Sequence, residues 1–290
     1  MYDLEIISPA DYDGPSETGP FPMEQYALHF LAHGDSWFSI GAVPPWKTSN
    51  LFDKLSLSKK AVAVNCARPS AELVHMIDST RNRTFLQLLN GNKAMRWTAL
   101  LLSGLGNDVI SAAQSPPTEK PARRLLARQS EWGSKPKSAR YVSEPGWASF
   151  EAHAREVFRL LIEARDKTDK NRGIPVVLHT YDVMTPRNTP AGPSFGPWLY
   201  KAVQAFGIPE ADWLQLSAEL VRRVGVLIHS IAAADPTVLV VDTQGTLTPA
   251  GTQQQTPTEH WHNEIHPSKA GYRRLGDVWE QKLEGWFCGP

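Results

Sequence analysis

The run AVAVN at residues 61–65 is short, apolar up to its last residue and rich in valine. Continuous apolar runs of this length are typical of strands that are buried on both faces, as in a parallel sheet. Four similar runs occur along the chain: YALHFLAH at 26–33, WTALLLSG at 97–104, IPVVLHTY at 174–181 and TVLVVDT at 237–243. Together the five runs predict about five strands of one mainly parallel sheet.

Helical patterns lie between and after the predicted strands. Their apolar residues recur mostly at three- and four-residue spacings, which indicates helices with one apolar face. These patterns cover residues 71–90, 148–166, 211–234 and 268–285. Strands that alternate with helices are typical of a sheet covered by helices. The sequence therefore predicts an α/β sandwich.

Two proline-rich segments, 112–146 and 182–198, interrupt this alternation. We expect them to be loop insertions in a single domain that spans 26–290 and follows an N-terminal extension of residues 1–25. The first insertion is rich in Lys and Arg, which could indicate a nucleic-acid-binding arm. Because its basic part contains only Trp132 to stack on bases, we favour a solvated flap over the cleft.

Composition excludes several classes of protein. The 290 residues carry 30 basic and 30 acidic side chains, so the broad positive charge of a nucleic-acid binder is missing. Two cysteines, Cys66 and Cys288, are too few for a disulfide-stapled scaffold or a four-thiolate zinc site. Residues 1–22 lack the basic start and apolar run of a signal peptide, and no apolar run is long enough to span a bilayer. We therefore expect a cytoplasmic protein that does not bind nucleic acid.

Polar residues follow the predicted strands at the edge where open α/β sheets bind ligands. Ser36 follows the first strand, Asn107 the third, and His266 lies beyond the fifth. A histidine that accepts the proton of a serine hydroxyl makes the serine a nucleophile. The Asn107 amide and backbone N–H groups at Ser36 and Ser70 can stabilise the oxyanion that follows. This set of residues is sufficient for acyl transfer without a cofactor.

The sequence resembles the GDSL or SGNH hydrolases over roughly residues 26–285. The resemblance rests on Gly34-Asp35-Ser36, on the segment from Gly104 to Asp108 and on His266-Pro267, in that order. It implies a three-layer, flavodoxin-like α/β/α sandwich and an esterase, lipase, thioesterase or carbohydrate deacetylase. It also implies that Ser36 is the nucleophile, Asn107 an oxyanion donor and His266 the general base.

The chain departs from the family pattern at two positions. The second block of the family usually offers a glycine N–H where this chain has Ser70, and a backbone donor survives that change. Three residues before the histidine, the family normally has an aspartate, and this chain has Asn263. An asparagine can hold an imidazole tautomer but carries no charge. We favour Asn263 as the partner of His266, with Asp242 and Glu264 as the alternative acids.

Further residues near the strand ends allow other interpretations. His179 and Asp182 follow the fourth strand and are candidates for contact with substrate. The tryptophans Trp37, Trp46 and Trp198 could line an acyl pocket. The histidine-rich segment 259–266 suggests a metal site, but its spacing matches none of the usual zinc signatures, so we expect no metal.

The sequence thus supports hydrolysis of a small-molecule or lipid ester through an acyl-enzyme on Ser36. A ligand-binding module of the same fold, with lost or weak catalysis, is the alternative, because of the changes at Asn263 and Ser70. Metal-dependent hydrolysis through the histidine cluster ranks last.

Overall fold

The computed structural model describes residues 1–14, 19–40, 49–53, 55–134 and 136–289. Its centre is a sheet in which every pair of neighbouring strands is parallel. The strands are β1 (Tyr2–Asp3), β2 (Glu5–Ile7), β3 (Leu28–Gly34), β4 (Ser56–Leu57), β5 (Ala61–Asn65), β6 (Ala99–Ser103), β7 (Val176–His179) and β8 (Val238–Val241). The order in the sheet is β2-β5-β3-β6-β7-β8, and β1 pairs with β4 separately. The predicted α/β class and mainly parallel sheet are confirmed.

The edge strand β2 was not predicted from the sequence. Its residues Glu5, Ile6 and Ile7 pair with Val62, Ala63 and Val64 of β5. Residues 5–7 therefore belong to the sheet, although we expected residues 1–25 to form an extension outside it. The sequence did not predict β2 because its three residues are too few to show a periodic pattern.

Helices cover both faces of the sheet. They are α1 (Pro9–Asp13), α2 (Leu73–Ile77), α3 (Arg83–Leu89), α4 (Gly106–Ala113), α5 (Lys137–Arg140), α6 (Glu144–Asp166), α7 (Leu199–Ala205), α8 (Trp213–Ala234) and α9 (Lys269–Leu283). Crossover connections between parallel strands are right-handed. The connections that contain α2, α3, α6 and α8 all proceed in the same direction across the sheet, so these helices lie on one face. The last helix, α9, covers the other face, where Trp279 packs against Phe38 and His179.

Local side chains account for where the helices begin and break. The hydroxyl of Ser143 accepts the N–H of Gly146 at the start of α6, and Ser268 caps α9 in the same way. The pattern over 71–90 predicted one helix, and this prediction is wrong. Asp78 accepts the backbone N–H groups of Thr80 and Arg81, which forms a turn between α2 and α3.

The described part of the segment 112–146 packs against the protein and is not a solvated flap. Leu125, Leu126, Tyr141 and Val142 are all buried. The hydroxyl of Tyr141 donates a hydrogen bond to Asp212, which lies just before α8. Burial of these apolar side chains fixes the described part of the segment on the helical layer.

No helix in the described part of the chain is both long enough and apolar enough to cross a membrane.

Candidate active site

The site lies beyond the carboxyl ends of β3 and β6, two adjacent strands. Strand β3 ends at Gly34, where a Cβ atom would lie 2.6 Å from Cβ of Ser103. Only glycine therefore lets β3 approach β6 at this point. The chain then turns, with N–H of Phe38 donating to the carbonyl of Asp35 and N–H of Ser39 to that of Ser36. This turn presents Ser36 at the edge of the sheet.

Ser36 and His266 are in hydrogen-bond contact although 230 residues separate them in the chain. Their Oγ and Nε2 atoms are 2.7 Å apart, and both residues are buried. His266 belongs to the loop that leads into α9, which brings it back over the end of β3. This distance is short enough for direct proton transfer from the hydroxyl to the imidazole.

The side chain of Asn263 determines which nitrogen of His266 is protonated. Its Oδ1 atom accepts the backbone N–H groups of Ile265 at 3.1 Å and His266 at 2.9 Å, so it must be the oxygen. The same oxygen lies 2.9 Å from Nδ1 of His266, which therefore carries a proton. In this tautomer Nε2 is free to accept the proton of Ser36.

The two alternative acids lie elsewhere. Asp242 accepts hydrogen bonds from Thr180 and Gln244 and is 3.2 Å from His229 at the surface. Glu264 is fully buried and accepts N–H groups at the start of α7, including that of Tyr200 at 2.5 Å. Among the contacts of the described residues, neither carboxylate touches His266, so the structure corrects both expectations.

The imidazole of His266 is held in its neutral form. Burial, together with a smaller effect of repulsion from His262, lowers its pKa to about 3. A neutral imidazole is ready to act as a base well below neutral pH. However, the imidazolium that forms when it accepts a proton gains no full negative charge from Asn263.

Three residues that line the pocket beside Ser36 offer N–H groups. The backbone N–H groups of Ser36 and Ser70 donate to no acceptor in the described part of the chain. One N–H of the Asn107 amide donates to the carbonyl of Ala71 at 3.0 Å, which leaves its second N–H to point elsewhere. Ser36, Ser70 and Asn107 all line the same pocket. This is the donor set that an oxyanion requires.

Two strained residues and one acid shape these donor loops. Ser70 has a φ of 60° and Leu105 a φ of 83°, both in the left-handed region that favours glycine. Asp108 accepts N–H groups from Leu73 and Leu105 and so ties the two loops together. Burial raises the pKa of Asp108 to about 7. The sequence pointed to Asp108 only as part of a motif, with no role.

The pocket beside Ser36 has a volume of about 230 Å³. Its walls are mostly apolar, and they come from four separate segments of the chain: Ile40, Pro69, Ala191, Phe195, Trp198 and Ile265. Ile40 and Phe195 are 43% and 56% exposed, which places them at the mouth. The insertion at 182–198 thus forms part of the pocket wall. No described residue of 112–146 lines the pocket.

The structure also corrects two expected substrate contacts. His179 is buried among aromatic rings, and its two nitrogens face Ser103 and the carbonyl of Thr180. Asp182 is buried and accepts the N–H groups of Gly245 and Leu247. Neither is among the described residues that line the pocket. The sequence placed both at strand ends but could not show that their side chains turn inward.

The predicted aromatic residues separate into different environments. Trp198 lines the pocket, and its ring packs edge-on against that of His266 at 5.8 Å. Trp37 is buried behind Ser36 and donates to the carbonyl of Ile265. Trp46 lies outside the described residues.

In the histidine-rich segment, His260 is hydrogen-bonded to a neighbouring loop. Nδ1 of His260 accepts the N–H of Thr248, so this nitrogen is occupied. Within the described ranges, no three His, Cys, Asp or Glu side chains are grouped so that they could hold an ion. The metal hypothesis therefore has no ligand set in this part of the protein.

Two buried side chains, Arg187 and Glu264, anchor the loop that carries His266 to the pocket wall, and the sequence did not reveal this role. The guanidinium of Arg187 donates to the carbonyl of Asn263 at 2.8 Å, and Glu264 caps the helix that follows Trp198. Arg187 also donates to the carbonyls of Gln254 and Thr256. These bonds explain how an irregular loop holds His266 in place.

The chain is an open, parallel α/β sandwich with a Ser–His pair at the carboxyl edge of its sheet. No model of a known protein family matches the chain, and no curated protein matches it in sequence.

Several solved structures align with most of the chain. An extracellular lipase from Streptomyces rimosus is 14% identical, with 89% of this chain and 100% of that one covered and a TM-score of 0.48. Phospholipase A1 from Streptomyces albidoflavus is 13% identical, with 89% and 99% covered and a TM-score of 0.47. An acetylxylan esterase from Geobacillus stearothermophilus is 13% identical, with 89% and 94% covered and a TM-score of 0.45. Similarity of this degree bears on the fold alone, and the chemistry of the site rests on the chain's own residues.

Proposed function

We propose that the protein is a serine-dependent hydrolase of carboxylic esters of the GDSL or SGNH type. The observation that carries this proposal is the 2.7 Å contact between Oγ of Ser36 and Nε2 of His266, beside three N–H donors and an apolar pocket. A serine, an oriented neutral imidazole and converging donors are the parts that acyl transfer requires.

In the proposed reaction, Oγ of Ser36 forms a bond to the ester carbonyl carbon while its proton moves to Nε2 of His266. The carbonyl π electrons move to oxygen, which the N–H groups of Ser36, Ser70 and Asn107 stabilise. Collapse of this intermediate breaks the bond to the alcohol oxygen, which takes the proton from His266. Water then attacks the acyl-enzyme with the same base, and this step releases the acid and regenerates Ser36.

The apolar walls favour esters with an apolar acyl group as substrates. Aliphatic and aromatic side chains surround the volume next to Oγ of Ser36. The only titratable side chain in the described lining is His266, which is neutral. Each methylene buried in such a pocket contributes about 0.8 kcal/mol. A sugar hydroxyl there would lose its hydrogen bonds to water, which makes a polar group in this pocket unfavourable.

A fluorophosphonate probe tests the nucleophile directly. We expect covalent labelling of the wild type at Ser36 and none of Ser36→Ala. Ser39→Ala is the matched control, because Ser39 lies on the same turn and donates to the carbonyl of Asp35. Labelling that persists in Ser36→Ala would overturn the proposal.

The second candidate is a binding module of the same fold, which the neutral side chain of Asn263 favours. A series of p-nitrophenyl esters of increasing acyl length separates the two. Turnover that disappears in His266→Ala supports the hydrolase. Binding of an apolar ester without turnover at any length supports the module.

A further inference from the structure

A buried cluster of four polar side chains lies directly beneath the Ser36 turn, and the proposed reaction does not use it. Oδ1 of Asp35 is 2.8 Å from Oγ of Ser103, and Oδ2 is 2.6 Å from the hydroxyl of Tyr181. Oγ of Ser103 is in turn 2.9 Å from Nε2 of His179. All four residues are 3% exposed or less.

The number of protons in this cluster follows from these contacts. Nδ1 of His179 faces the carbonyl of Thr180 at 2.8 Å and must donate to it, because a carbonyl only accepts. Nε2 is then a bare acceptor if the imidazole is neutral. The three shortest contacts that remain are Asp35 to Ser103, Asp35 to Tyr181, and Ser103 to His179, and each needs one proton between its two atoms. The hydroxyls of Ser103 and Tyr181 are also 3.1 Å apart, and either hydroxyl can donate there only a proton that is already counted.

The hydroxyls of Ser103 and Tyr181 supply only two of these three protons. With Asp35 ionised and His179 neutral, one contact would hold two buried lone pairs face to face, which is unfavourable. One additional proton satisfies all three contacts. If it resides on Asp35, the acid donates to Ser103, which donates to His179. If it resides on His179, the same chain runs in the opposite direction.

The surroundings decide between these two positions. The imidazole of His179 packs against the rings of Trp37, Phe38 and Trp279, at centroid distances of 5.6 to 5.8 Å, and no anion of the described residues contacts it. Burial lowers the pKa of His179 to about 4 and raises that of Asp35 to about 6, so the acid holds the proton more tightly. The nearby Tyr272 stays neutral, since burial raises its pKa well above 10.

We propose that between pH 5 and 6 Asp35 is a neutral carboxylic acid that shares one proton with His179 through Ser103 and thereby positions the nucleophile turn. Asp35 also accepts the backbone N–H of Trp37 at 2.9 Å. The residue before Ser36 is therefore hydrogen-bonded to the residue after it. The effect on activity rests on the proposed function: a neutral acid places no negative charge next to the oxyanion that would form at Ser36. Asp35 is a positioning residue and does not touch the reacting atoms.

Infrared difference spectra test the protonation without any assay of activity. At pH 6, subtraction of the Asp35→Asn spectrum from that of the wild type should show the C=O band of a protonated carboxyl, which shifts in D₂O. A difference spectrum with only carboxylate bands from pH 5 to 6 would overturn the proposal.

Two variants test the proton count itself. In His179→Phe the acceptor is gone, the hydroxyl of Ser103 can donate to Asp35, and the additional proton is no longer needed. We expect the protonated band to disappear at pH 6 in this variant. Ser103→Ala, which removes the bridging hydroxyl, is the second route if His179→Phe does not fold. His153→Phe, on the exposed side of α6, should retain the band. An unchanged band in folded His179→Phe or Ser103→Ala would contradict the shared proton.

Activity distinguishes this inference from the proposed function. If the protein is an esterase, His179→Phe should lower kcat by on the order of tenfold at pH 6 with little change in KM, because ionised Asp35 opposes the oxyanion. An unchanged kcat in a folded variant that has lost the band would overturn the positioning role. If no ester is turned over, the infrared result still decides the protonation.

Discussion

The side-chain oxygen of Asn263 lies 2.9 Å from Nδ1 of His266 and accepts the backbone N–H of the same residue at 2.9 Å. One neutral oxygen therefore orients the imidazole and fixes its tautomer. A carboxylate at this position would do the same and would also stabilise the imidazolium. The difference between the two is electrostatic, which makes it measurable as a shift in pH dependence.

We expect Asn263→Asp to raise kcat at pH 7 by on the order of tenfold, because an anion beside Nδ1 stabilises the imidazolium formed during acylation. The same anion raises the pKa of His266 from about 3, so the acid limb of kcat/KM should move to higher pH. At pH 4 to 5 the wild type should therefore lose less of its maximal activity than the variant. Asp242→Asn, at the surface, is the control and should leave the profile unchanged.

Replacement of Ser70 by glycine should preserve activity and leave stability equal or higher by about 1 kcal/mol. The φ of 60° costs a serine about 1–2 kcal/mol, and glycine avoids this cost but loses more chain entropy on folding. Ser70→Pro lacks the N–H and cannot adopt the φ of 60°, and for both reasons it should reduce kcat by about 10²-fold or more. Denaturant unfolding and ester kinetics measure the two effects. Full activity in a folded Ser70→Pro variant would remove this N–H from the donor set.

Asn107→Ala should lower kcat by about 10²–10³-fold while KM changes little, since an oxyanion donor acts mainly in the transition state. The lost hydrogen bond to Ala71 should cost about 1 kcal/mol of stability. Gln114→Ala, at the end of the same helix, is the matched control. If KM rises and kcat stays constant, Asn107 binds substrate rather than the oxyanion.

The pocket walls should set the preferred acyl length. Ala191→Phe fills part of the volume of about 230 Å³, so we expect kcat/KM to fall most for the longest p-nitrophenyl esters. Trp198→Ala should have the opposite effect and extend the range of acyl lengths. Val226→Phe, at an exposed position on α8, controls for added apolar surface. An unchanged length profile in both pocket variants would place the acyl group elsewhere.

Glu264→Gln should destabilise the protein by about 2–3 kcal/mol and change kcat by less than about threefold. The carboxylate accepts N–H groups on both oxygens, and an amide nitrogen would face one of these donors. It does not contact His266, so the chemistry should be spared. Glu259→Gln, whose side chain is exposed, is the control for the same substitution. A loss of kcat by several orders of magnitude with folding intact would return Glu264 to a catalytic role.

Much of this site could be predicted from the sequence, because its members lie where strands end. Apolar runs identify buried strands, and the carboxyl edge of a parallel sheet collects the residues that follow them. This reasoning selected Ser36, Ser70, Asn107 and His266, and the structure brings all four to one pocket. Position along the chain was sufficient to select these residues. Ser36, Ser70 and Asn107 follow strands of the sheet, and His266 lies just before the last helix.

Tertiary structure alone decided which way the remaining side chains point. His179 and Asp182 also follow a strand, but they turn inward, because a side chain at a strand end can face the core as well as the rim. The cluster of Asp35, Ser103 and His179 joins three different strands or strand ends, so no local pattern could reveal it. The sequence favoured Asn263 as the partner of His266, but only the structure shows that its Oδ1 lies 2.9 Å from Nδ1 of His266. The sequence by itself determined the sheet and the residues at its edge, whereas the packing of loops decided their hydrogen bonds and charges.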